Sequence, residues 1–139
     1  MGKRLVGRPG IPGIAEGKAL VTRETIQGWS GVDEKTGLIV EVGHPFEGMS
    51  IKDSILILSG GKGSNGWSCH FHAAKLLGFA PAGFVFPKID SRTGVTAVVT
   101  GIPTVVDVGP QVFDEIKTGD TVRVNGTEGY IELMTEKDI

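Results

Sequence analysis

Short runs of apolar and β-branched residues, each closed by Gly, Pro or Asp, recur at 19–22, 38–42, 54–58, 83–86, 96–100, 104–108, 121–124 and 130–133. Runs of this length with such punctuation predict strands. Ile55-Leu56-Ile57-Leu58 has no polar position, the pattern of a strand buried on both faces. One stretch has helical spacing, 69–77, where Phe71, Ala74 and Leu77 share a face and Gly78 supplies a stop. A second short helix is expected over 111–117, from Val112, Phe113 and Ile116, ended by Gly119-Asp120. The whole predicts a strand-rich α/β domain, a single one over 1–139, because no linker, repeat or low-complexity tract divides the chain. The last residues, 135–139, read as a polar tail.

Composition narrows the function. With 14 Lys and Arg against 16 Asp and Glu, the net charge is −2, which offers no basic footprint for nucleic acid. Aromatic residues make up 6% and are widely separated, so a stacking platform for single strands is not expected. Apolar content of 40% with 22% charge is that of a globular chain. The apolar runs fall far short of the roughly 20 residues that span a bilayer, so no membrane partner is expected. The lone cysteine, Cys69, has no intrachain disulfide partner, and no basic and apolar leader opens the chain. A cytoplasmic location is expected.

The twenty-two glycines suit tight turns between short strands, and they concentrate at one place. Ser59-Gly60-Gly61-Lys62-Gly63-Ser64-Asn65-Gly66-Trp67-Ser68 holds four glycines and joins the buried strand to the first helix. Such a turn is either a device for close packing or a loop whose backbone N–H groups and following helix dipole receive a carboxylate or phosphate. It matches neither a Walker A pattern nor a dinucleotide fingerprint. Within it Ser64 is a helix cap or, deprotonated by its surroundings, a base or proton relay; Ser68, just before the helical run, is the better cap.

The remaining candidates each have a plain structural reading. His70 and His72 are two apart, a spacing that does not chelate a metal from one helix face, so no metal site is expected in this chain. Cys69 beside them reads as a small semi-buried residue rather than a nucleophile. His44 precedes Pro45, which biases it toward extended geometry at a strand end, and is either structural or a site edge. Asp33, in Asp33-Glu34-Lys35-Thr36-Gly37, reads as a turn residue. Lys62 and Arg92 are the cations expected nearest an anionic ligand.

Taken together, the ordered motifs Ala15-Glu16-Gly17-Lys18-Ala19-Leu20-Val21, Gly31-Val32-Asp33 with Thr36-Gly37, His44-Pro45 with Gly48, Gly61-Lys62-Gly63-Ser64, Ala80-Pro81-Ala82 and Gly101-Ile102-Pro103 resemble the small swivelling-domain subunit of aconitase X enzymes. The resemblance implies an aconitase-type swivelling β/β/α domain. It implies a hydro-lyase subunit, inactive alone, that closes as a lid over a large subunit carrying an iron–sulfur cluster and dehydrates a small anionic hydroxy acid. Activities of that family include dehydration of mevalonate 5-phosphate and of cis-3-hydroxy-L-proline, and the resemblance does not choose between them. By the same correspondence Ser64 is the base or relay, Gly61, Lys62, Gly63 and Asn65 bind substrate, and Asp33, His44 and His70 stand at the site edge. Lys62 occupies a position where arginine is usual in the family, so a point charge replaces a bidentate contact. No cofactor is expected on this chain, since one cysteine does not hold an iron–sulfur centre. Two other readings stay open. Ser68 to Ala74, the Gly-Ile-Pro-Thr-Val-Val run and the closing Gly119 to Gly126 also resemble the phosphohistidine carrier domain of phosphoenolpyruvate-using enzymes. A non-catalytic binding module on the same fold is the third.

Overall fold

The computed structural model describes residues 3–22, 26–27, 38–39, 48–59, 61–62, 75–88 and 91–134. Ten strands run through these residues: β1 (Lys3–Val6), β2 (Arg8–Ile11), β3 (Ile14–Thr22), β4 (Ile26–Gln27), β5 (Ile55–Leu58), β6 (Gly61–Lys62), β7 (Gly83–Phe86), β8 (Thr104–Val106), β9 (Thr121–Asn125) and β10 (Tyr130–Leu133). Two helices accompany them, α1 (Ser91–Thr100) and α2 (Val112–Glu115), and residues 75–77 are also helical.

Eight strands follow one another in the order β1-β10-β9-β3-β5-β7-β8-β2, and the order bends into two sheets because β3 serves both. Its first half, Ile14 to Lys18, pairs antiparallel with β9, and its second half, Ala19 to Thr22, pairs parallel with β5. The opposite margin is joined in a similar way. β1 pairs with β10 in the antiparallel sheet, β2 pairs with β8 in the other, and only Gly7 separates them. A side chain at Gly7 would place its Cβ 2.4 Å from the Val106 carbonyl oxygen, so the passage between sheets is open only to glycine.

The parallel set β3-β5-β7-β8 is buried on both faces, as the apolar run 55–58 predicts. Ile55, Ile57, Val85 and Val105 point between the sheets, with Val122, Val124 and Ile131 of the antiparallel sheet and Val112 and Ile116 around α2. The alternate residues Leu56, Leu58, Phe84, Phe86 and Val106 form a second core with Ile39, Ile51 and Ile102. Phe84 and Phe86 stack there at 5.3 Å between ring centroids. Two sheets and a helical layer thus give the β/β/α arrangement expected of the sequence.

Several local expectations are corrected. Residues 96–100 form the last half of α1 rather than a strand. Threonine splits its loyalties in a helix because its hydroxyl reaches back to an earlier carbonyl. Thr100 Oγ1 donates to the Thr96 carbonyl at 2.7 Å, and Thr96, Ala97 and Thr100 are the buried positions while Val95, Val98 and Val99 face outward. Gly101, with φ +65°, ends the helix by donating to the Ala97 carbonyl at 3.0 Å. β1 and β2 were not expected, and β3 starts five residues before the predicted 19. The strand at 104–108 stops at Val106, and α2 is shorter than 111–117 because Ile116 is extended, φ −120° and ψ 130°. Of 38–42, Leu38 forms a bridge with Ser50 and 40–42 lies outside the described residues. The first helix is seen only at 75–77, with 69–74 outside. Among the described residues no helix is long and apolar enough to cross a membrane.

Candidate functional site

The parallel strands β3, β5, β7 and β8 all end at one margin of their sheet, at Thr22, Leu58, Phe86 and Val106. Ligands of open α/β sheets gather outside such carboxyl ends, where the loops diverge and backbone groups are left without ladder partners. The glycine-rich segment leaves from this margin.

Its first residues are ordered in a way the sequence did not predict. Gly61 and Lys62 are not part of a turn; they form β6, which pairs in parallel with β4 in the register Ile26 to Gly61 and Gln27 to Lys62. β4 follows β3 and β6 follows β5, and β3 and β5 are themselves parallel partners whose last pair is Thr22 with Leu58. The same two chain segments therefore resume pairing beyond the sheet margin. From Thr22 to Ile26 is four steps and from Leu58 to Gly61 is three, so the resumed register is offset by one residue. Cα atoms of α1 come within 8 Å of those of β6, which seats this small sheet against the helix. The consequence is that Lys62 launches the chain toward Gly63 and Ser64 from a hydrogen-bonded platform outside the carboxyl margin.

Two neighbours complete the described part of this margin. After β7 come Pro87 and Lys88, with the Phe86 carbonyl accepting from the Asp107 amide at 2.9 Å and the Pro87 carbonyl accepting from the Gly109 amide at 3.2 Å. After β8 comes Asp107, held at φ +58°, whose Oδ2 accepts from Arg8 Nε at 2.7 Å. Asp107 thus faces an ion-pair partner contributed by β2. Arg92, expected near an anion, lies in the first turn of α1.

Of the expected site residues, Gly61 and Lys62 are the two the structure places, both in β6. Asp33, His44, Gly63, Ser64, Asn65 and His70 lie outside the described residues, as do the Ser68 and His72 positions on which the carrier reading depends. Among the described residues no group of three or more His, Cys, Asp or Glu stands together as a metal site.

Residues 4–133 match the family model of the aconitase X swivel domain. The chain belongs to the aconitase X swivel-domain family. Its relatives in that family include the phosphomevalonate dehydratase small subunit of Methanosarcina acetivorans, 38% identical over 96% of this chain and 93% of that protein. The phosphomevalonate dehydratase small subunit of Methanocella arvoryzae is 40% identical over 87% of this chain and 92% of its own length. In three dimensions this aconitase X swivel domain superposes on a chain of the holo-form Thermococcus kodakaraensis aconitase X crystal structure with a TM-score of 0.89. That match has 31% identity and covers 96% of this chain and all of the other. The expected fold and the expected family are therefore both correct.

Proposed function

We propose that this chain is the small subunit of a cytoplasmic phosphomevalonate dehydratase, a hydro-lyase assembled with a large aconitase-X-type subunit and inactive without it. The observation that carries this is the match to a small subunit of that name over 96% of this chain and 93% of that protein. Mevalonate 5-phosphate replaces the wider choice of hydroxy acids for the same reason. The β6 platform supports it physically, since it carries Gly61 and Lys62 just beyond the carboxyl margin, outside which the ligands of such sheets lie.

In this mechanism the carbon next to the substrate carboxylate gives its proton to Ser64 Oγ. The electron pair left behind forms the carbon–carbon double bond, and the hydroxyl on the neighbouring carbon departs, taking the abstracted proton from Ser64 Oγ to leave as water and return the serine to its starting state. Backbone N–H groups of the 61–64 segment, with Asn65, hold the carboxylate, and the charge of Lys62 favours its approach. Asp33, His44 and His70 form the edge. Closure of the domain over the large subunit excludes water while the proton moves. With one cysteine this chain has no donor set for an iron–sulfur cluster, which belongs to the large subunit.

The test is coexpression of this chain with the large subunit, purification of the complex and mass-spectrometric detection of dehydrated product. Mevalonate 5-phosphate is expected to be consumed by the complex, by neither subunit alone, and in preference to cis-3-hydroxy-L-proline. An assembled, metal-loaded complex that leaves mevalonate 5-phosphate untouched would falsify the assignment.

A further inference from the structure

The chain holds two asparagines, Asn65 and Asn125, and each precedes a glycine. Such a step is open to attack of the backbone nitrogen on the asparagine side chain, because glycine puts no side chain in the way. Asn65 lies outside the described residues. Asn125 ends β9 and is matched there on both sides, with Tyr130 of β10 and Ile14 of β3. The fold also requires the glycine that follows it. A Cβ at Gly126 would stand 1.9 Å from the Ile11 carbonyl oxygen and 3.0 Å from the Thr104 amide nitrogen, so no other residue fits.

Both reacting groups of this step are held. Gly126 is buried and its amide donates to the Gly13 carbonyl at 2.8 Å, which keeps the proton on the nitrogen and hydroxide away from it. The clasp is reciprocal, since the Gly13 amide donates to Thr127 Oγ1 at 2.9 Å. The Asn125 carboxamide is occupied at both of its polar atoms. Nδ2 donates to the Tyr130 hydroxyl at 3.2 Å, and Oδ1 accepts from the Glu128 amide at 2.9 Å. Turning the carboxamide onto the Gly126 nitrogen breaks these bonds.

We propose that Asn125 is a covalent modification site: its conversion to aspartate or isoaspartate is shut off in the folded chain, proceeds when the 125–129 turn leaves Gly13, and then bars the turn from closing again. In the reaction the Gly126 nitrogen loses its proton and bonds to Asn125 Cγ. The bond from Cγ to Nδ2 breaks, and the side-chain nitrogen leaves as ammonia with that proton. Water opens the resulting cyclic imide at either carbonyl, and no oxidant or reductant takes part. Opening at one carbonyl gives aspartate, which places a charge where an amide stood at a position 8% exposed. Opening at the other gives isoaspartate, which lengthens the main chain by one carbon at a residue matched with two strands. A longer chain at that point puts β9 out of register with β10 and β3.

The experiment holds the full chain in mildly alkaline buffer, folded or unfolded in urea, and follows the tryptic peptide from Val124 to Lys137 by mass spectrometry. Conversion at Asn125 is expected to be about tenfold or more slower in the folded chain than in urea. Tyr130→Phe and Thr127→Val each remove one holding bond, and Thr127 is exposed, so its variant keeps the core intact. Each is expected to raise the folded rate by about two- to tenfold, the worth of one hydrogen bond, and to leave the rate in urea unchanged. Equal rates in the folded and unfolded chains, or folded rates that neither variant raises, overturn the proposal. A second readout uses an Asn65→Gln background, so that Asn125 alone reacts. Chains converted in urea and returned to buffer are expected to melt at a lower temperature than unconverted chains carried through the same steps. Equal melting temperatures overturn the block on closing.

Discussion

The amide of Gly7 donates to the carbonyl of Gly129 at 2.9 Å, at the point where one segment leaves the antiparallel sheet and enters the parallel one. That crossing ties the two sheets along one margin, and β3 ties them along the other. Gly7→Ala is expected to destabilise by about 1–3 kcal/mol, the usual cost of forcing a methyl into occupied space. The occupied space is specific: the new Cβ falls 2.4 Å from the Val106 carbonyl oxygen and 2.7 Å from Val108 Cγ1. Urea titration of the isolated chain measures it, and a loss below about 0.5 kcal/mol would show that the crossing relaxes freely.

Thr96 and Thr100 are both buried in α1, yet their hydroxyls fare differently. Thr100 Oγ1 donates to the Thr96 carbonyl, whereas Thr96 Oγ1 has no hydrogen-bond partner among the described residues. Thr96→Val is therefore expected to stabilise by about 1 kcal/mol and Thr100→Val to cost about as much, because a buried unpaired hydroxyl is a penalty and a paired one is not. Opposite signs in thermal melts are the outcome to look for; two shifts of the same sign would contradict the assignment.

Phe84 and Phe86 are fully buried and stacked on each other at the end of the strand that leads to Lys88. Phe86→Ala is expected to cost about 3–5 kcal/mol, a large part of the stability of an ordinary domain. Chemical denaturation measures it, and a cost under about 1.5 kcal/mol would mean that the surrounding core collapses into the gap.

Ser64→Ala is expected to lower kcat of the assembled complex by about 100-fold or more, the usual contribution of a positioned base. Folding and assembly with the large subunit should be unchanged, as read by circular dichroism and gel filtration. Turnover near the wild-type rate would remove Ser64 from proton transfer.

The buried parallel strands were legible because continuous apolar runs such as Ile55 to Leu58 leave little else to be. The edge strands were not. Lys3 to Val6 and Arg8 to Ile11 are mostly exposed, and β2 carries Pro9, which is tolerated only where a ladder donor is dispensable. Residues 96–100 misled for the opposite reason: β-branched composition suggests a strand, but the buried Thr100 closes its hydroxyl hydrogen bond on an earlier carbonyl within a helix. At the site, the family motif Gly61-Lys62-Gly63-Ser64 was readable as a string, while the pairing of Gly61 with Ile26 was not, since two-residue ladders leave no periodic trace.

Long-range pairing also sets a schedule. Lys3 is matched with Leu133 and Arg8 with Val106, so β1 and β2 find their partners about 100 residues or more away along the sequence. Topologies dominated by such distant contacts fold slowly, over milliseconds to seconds. β5 and β7 lie much nearer each other in sequence, and sealing of the two sheets through Gly7 needs both β8 and β10 in place.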